Sequence, residues 1–196
     1  MTRSRRPGDW EQDLAAARAE EAGLAALLAQ DSRISSLRNH THDFDRLDFS
    51  FSYAGGVVEV DLKEKIRPTS AGLAALWADV PAPHIFVLDE TVYRRIVWNG
   101  GGGYLIVHDH PGARWLIFGP WELTLGPRRR YERWGRRRDE AFKKGKIMLD
   151  LRAAAAESPN LSVDVLLAVI ERSRRGRDAV EAVVIEGDDV PEVGEP

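Results

Sequence analysis

The chain has 196 residues, with 28 Lys or Arg against 31 Asp or Glu, a formal net charge of −3, and 43% hydrophobic residues, enough for the packed core of one domain. It contains no cysteine, which excludes disulfides, Cys-ligated zinc, iron–sulfur clusters and thiol catalysis. No apolar run reaches the roughly 18 residues of a membrane span, and Asp9, Glu11 and Asp13 fall where a signal peptide needs apolar residues, so a cytoplasmic protein with no membrane contact is expected.

Residues 9–30 place Leu14, Ala17, Glu21, Leu24, Leu27 and Leu28 at helical spacing, and Asp9 suits the N-cap. Over 47–53, Leu47, Phe49, Phe51 and Tyr53 alternate with Asp48, Ser50 and Ser52. After the turn Ala54-Gly55-Gly56, Val58, Val60 and Leu62 alternate with Glu59, Asp61 and Lys63. A period of two on both sides of a glycine turn predicts a β-hairpin with one buried face. A short helix over about 70–79 follows Pro68, then a strand over 84–88, a helix over 90–98, a glycine loop at 100–103 and strands over about 104–108 and 114–118. Helices are expected over 128–144 and 161–173. This order predicts an α/β (α+β) domain with a mixed β-sheet.

Charge is unevenly placed. From Asp178 onward there are seven acids and no base, so residues 1–177 carry a net +4, and residues 127–146 hold ten bases against three acids. The expected organisation is a flexible basic N-terminus (1–8), a core (9–126), a basic helical part of the same domain (127–176) and an acidic disordered tail (177–196). The ten bases, Arg128, Arg129, Arg130, Arg133, Arg136, Arg137, Arg138, Lys143, Lys144 and Lys146, form a footprint suited to a phosphate backbone, with Tyr131 and Trp134 interleaved for stacking. A solvated helix face is the plain alternative.

On the polar face of the hairpin sit Asp48, Glu59, Asp61 and Lys63. Three carboxylates side by side repel one another, and a divalent cation removes the conflict. Hard oxygen ligands suit Mg²⁺ or Mn²⁺, which can polarise a phosphoryl oxygen and activate a water, while Lys63 is placed to orient that water or to stabilise growing charge.

The run Asp48-Phe49-Ser50-Phe51, the glycine turn and Glu59-Val60-Asp61-Leu62-Lys63 resemble the PD-(D/E)XK nuclease superfamily of restriction-type and Holliday-junction-resolving enzymes. The resemblance covers about residues 9–90, and no proline precedes Asp48. It implies a central mixed sheet flanked by helices, Asp48 and Asp61 as metal ligands and Lys63 as the catalytic lysine. It also implies an acid from the preceding helix, Glu20 or Glu21, in the metal shell; Glu21 shares the Leu14, Ala17, Leu24 and Leu28 face. An alternative alignment makes Glu59 a ligand.

The expected activity is Mg²⁺-dependent hydrolysis of DNA, with branched or recombination intermediates among the candidate substrates and RNA left open; cutting two strands would call for a homodimer. A non-catalytic nucleic-acid-binding module on the same fold is the competing expectation. His40 with His42, and His108 with His110, are spaced for metal ligation or general-base work, although such pairs are more common as loop features.

Overall fold

A computed structural model describes residues 7–43, 45–98, 102–137 and 140–187. Helix α1 (Pro7–Gln30) leads to strands β1 (Ser35–Asn39), β2 (Phe49–Tyr53) and β3 (Gly56–Lys65). Next come the short helix α2 (Ala71–Ala74), strand β4 (Ile85–Asp89), helix α3 (Glu90–Trp98), and strands β5 (Tyr104–Asp109) and β6 (Arg114–Phe118). Helix α4 (Pro120–Leu125), the long strands β7 (Arg128–Arg137) and β8 (Glu140–Asp150), β9 (Ala156–Ser158) and helix α5 (Val163–Gly187) complete the order. The fold is mixed α/β, with a six-stranded sheet in the order β1-β2-β3-β5-β6-β9 and a three-stranded sheet in the order β4-β8-β7. Among the described strands β3 and β5 run parallel and the other pairs are antiparallel. No helix among the described residues is long and apolar enough to cross a membrane.

The hairpin forms as its alternation predicts. Tyr53 pairs with Gly56 across a two-residue turn in which Ala54 and Gly55 both have positive φ, 46° and 77°, the twist that suits a tight hairpin. Phe49, Phe51, Tyr53, Val58, Val60 and Leu62 form one face, packed against Leu24 and Leu28 of α1 and Leu166, Leu167, Val169 and Ile170 of α5. The other face of the large sheet, with Leu105, Val107, Leu116 and Phe118, is covered by α3, α4 and the small sheet through Tyr93, Ile96, Leu123, Phe86, Leu88, Ile147 and Leu149. Burying a residue such as Phe51 on such a face is worth about 1.5–3 kcal/mol. β8 lies close over α3, where a side chain on Gly145 would run into Glu90.

Three expectations are corrected. The basic segment 128–144 is not a helix: β7 and β8 pair along their whole length, from Arg128 opposite Leu149 to Arg137 opposite Glu140. Its bases offer no apolar stripe at helical spacing, whereas Ile147, Met148 and Leu149 are buried on both faces of a sheet strand. The segment 177–196 is not disordered throughout, since α5 continues through Ala179, Val180, Ala182, Val183, Val184 and Ile185 to Gly187; residues 188–196 lie outside the described residues. Asp9 lies inside α1, which begins at Pro7, a residue suited to a first helical turn, and so is not its N-cap; residues 1–6 of the expected flexible N-terminus lie outside the described residues. The strand expected at 84–88 forms, as β4, and pairs in the small sheet.

Candidate active site and basic face

Asp48 immediately precedes β2. The β2–β3 ladder ends with Phe49 opposite Val60, and beyond it the Asp48 carboxylate accepts the backbone N–H of Leu62 at 2.8 Å. Strand alternation turns Asp61 and Lys63 to the same side of β3, opposite Leu105 and Val107 of β5. Lys63 Nζ lies 3.1 Å from Asp48 Oδ2 and 2.8 Å from Asp61 Oδ2, and it also donates to the Leu62 carbonyl at 2.9 Å. The three residues singled out from the hairpin are thus brought together.

The electrostatics follow from burial. The Asp61 side chain is 3% exposed, and burial pushes its carboxyl up to about 6, with Lys63 opposing and Asp48 adding to the push. Burial draws the Lys63 ammonium down, but Asp61 and Asp48 together outweigh it, and its pKa ends above the ordinary lysine value. Glu21 of α1 is raised first by burial and then by Asp48, against the pull of Lys63, His42 and Arg18, which places its carboxylate within the field of the same cluster.

Glu59 shares the row of Asp61 and Lys63 but lies opposite Ser50, lining a cavity of about 450 Å³ beside the hairpin turn with Tyr104 and Arg174. A smaller groove of about 220 Å³ opens at Lys63 and is lined by Phe86, Asp89, Val92 and Lys146. Asp89 lines this groove and is not singled out from the sequence; its signal is an acid closing an otherwise apolar strand.

The chemistry of the donor set suits a hard divalent metal. Asp61 Oδ2 is buried, with the Lys63 ammonium 2.8 Å away as its close counter-charge. With Asp48, and Glu21 nearby, it offers hard carboxylate oxygens of the kind that hold Mg²⁺ or Mn²⁺.

The ten basic residues divide into distinct groups. Arg130 pairs with Glu90 at 2.9 Å, Lys143 with Glu132 at 3.3 Å, Lys144 with Asp89 at 2.5 Å and Lys146 also with Asp89. Arg128 is spent on the carbonyls of Thr124 and Gly126. Arg129 and Arg133 are exposed and make no ion pair among the described residues. Arg136 and Arg137 occupy the end of β7, and Arg138 lies outside the described residues. Two tryptophans stand out beside cations: Trp134, 66% exposed, has Lys143 5.3 Å from its ring centre, and Trp98, 73% exposed, has Arg94 at the same distance. The Arg94–Trp98 pair, four residues apart on α3, is legible in the sequence only as helical spacing.

The histidines separate. His40 Nε2 lies 2.8 Å from Ser50 Oγ, whereas His108 Nδ1 lies 3.0 Å from Glu20 Oε1. Of the glycine loop at 100–103, Gly100 and Gly101 lie outside the described residues, and Gly103 donates its backbone N–H to the Ile96 carbonyl at 2.6 Å.

Comparison with models of protein families, with curated proteins and with solved structures gave no match to this chain. What the site does is therefore argued from its own residues.

Proposed function

We propose that the chain is a metal-dependent nuclease that hydrolyses phosphodiester bonds, with DNA, including branched forms, as its substrate class. The observation that carries this reading is Lys63 held between the carboxylates of Asp48 and Asp61, at a groove shared with Asp89 and Lys146 of the basic small sheet. Asp48 and Asp61 would hold Mg²⁺ or Mn²⁺, with Glu21 completing the shell. The bound ion supplies phosphoryl polarisation and a water of lowered pKa. Lys63, its ammonium fixed by two acids, stabilises negative charge on the phosphoryl oxygens and orients the attacking water. Arg129 and Arg133 meet phosphates, and Trp134 and Trp98 offer stacking surfaces that tolerate any base. This is the chemistry that the PD-(D/E)XK resemblance implies.

A second reading, a nucleic-acid-binding module without catalysis, draws support from the same ion pairs. Lys63 alone already offsets much of the charge of Asp48 and Asp61, so the acids could serve structure. Cleavage of labelled duplex, single-stranded, flapped and four-way-junction DNA with Mg²⁺ or Mn²⁺ separates the two. Metal-dependent cutting by the wild type, lost in Lys63→Ala and Asp61→Ala, is the expected result; salt-sensitive binding without cutting would overturn the nuclease in favour of the binding module.

A further inference from the structure

On the opposite face of β3, Leu62 and Glu64 continue the row that meets α1, and Glu64 stands opposite His108 in the parallel ladder with β5. We infer that Glu20, His108 and His110 form a second metal site there, one that takes a divalent transition metal of the Zn²⁺ type and fastens α1 to the end of β5.

One ligand atom from each of the three residues lies within 4.8 Å of the other two. His108 Nδ1 and Glu20 Oε1 are 3.0 Å apart, and the two imidazole rings are centred 3.8 Å apart with a 34° tilt. Around a tetrahedral Zn²⁺ with bonds of about 2.0–2.1 Å, neighbouring ligand atoms sit about 3.3 Å apart, so small side-chain rotations close the set. Trp115 stacks on His108 at 3.9 Å and holds that ring in place. Glu64 Oε1, 3.7 Å from His110 Nε2, brings a second carboxylate, so two acids balance a dication. Two imidazoles and a carboxylate favour Zn²⁺, Co²⁺ or Ni²⁺, whereas the all-oxygen set at Asp48 and Asp61 favours Mg²⁺. The site stands whether or not the chain is a nuclease.

The test titrates the tag-free, full-length protein with Co²⁺, read by its visible absorption bands, and with Zn²⁺ by calorimetry. It compares the wild type with Glu20→Gln, His110→Ala and Asp61→Asn, each first checked for folding by circular dichroism. The tight step of the titration, one equivalent, should have the same affinity in the wild type and Asp61→Asn, and at least about tenfold weaker affinity in Glu20→Gln and His110→Ala. His110 has a side chain 37% exposed, and its truncation leaves the stacked His108 in place. No saturable binding to the folded wild type, or unchanged affinity in both Glu20→Gln and His110→Ala, would overturn the site. Loss confined to Asp61→Asn would also overturn it by assigning the ion to the Asp48 and Asp61 cluster.

Discussion

The Asp48 carboxylate takes the backbone N–H of Leu62 across 2.8 Å, so a side chain replaces the strand partner that β2 no longer supplies. The first acid of the site is thereby aimed by main chain, one residue before Lys63. Asp48→Ala removes an acceptor from a part-buried N–H and should destabilise the fold by about 1–3 kcal/mol in urea unfolding. Asp48→Asn keeps an acceptor and should lose much less stability, while losing metal-dependent cleavage. Equal stability losses in the two variants would contradict this role.

Asp61 carries a pH signature. Its folded carboxyl titrates near 6, above the ordinary 3.8, because burial disfavours the charged form. The proton therefore favours the folded state between about pH 4 and 6, and the full burden of the buried charge is present above 6. Asp61→Asn should exceed the wild type in stability at pH 7.5 by on the order of 2–3 kcal/mol, an advantage that shrinks as pH falls towards 4. Urea unfolding of both proteins at pH 4.5 and 7.5 in the presence of EDTA checks this; a constant difference would refute it.

Arg129 and Arg133 are exposed and make no ion pair among the described residues, whereas Arg130 is engaged by Glu90. Replacing both Arg129 and Arg133 by Ala should lower the slope of log affinity against log salt by about 1.8, near 0.9 for each phosphate that is no longer neutralised. Arg130→Ala should change that slope less. Fluorescence anisotropy on labelled duplex across a salt series measures both.

Ala54 holds a φ of +46°, a conformation that disfavours a Cβ. Ala54→Asn, which tolerates it, should stabilise the hairpin by about 1 kcal/mol and raise the melting temperature without altering nucleic-acid affinity. A lowered melting temperature would argue against the turn geometry.

The hairpin is legible in the sequence because one alternation, from Leu47 to Lys63, decides both which residues face α1 and α5 and which carboxylates share a face. The basic segment misleads for a physical reason. Arg, Lys and Glu favour helix intrinsically, but the pairing of β7 with β8, whose end Lys146–Asp150 is held by the sequence-remote Ile85–Asp89, decides the backbone. β1 escapes notice because Ser35-Ser36-Leu37-Arg38-Asn39 carries one apolar residue and an irregular register, with Ser36 at a φ of 54°. The closeness of Glu20 to His108 depends on how α1 crosses the sheet, which spacing along the chain does not encode.

β4 lies, in chain order, inside the connection between the parallel strands β3 and β5, yet its hydrogen-bonding partner is β8, with Ile85 opposite Asp150. The arginine-rich hairpin is therefore no detachable module. Cutting it away would strip β4 of β8, its neighbour in the small sheet, open the cluster of Ile85 and Trp77 to water, and loosen the crossover that carries Asp89 to Lys63. Grafting or deleting the hairpin would therefore alter the groove at Lys63 as well as the basic face.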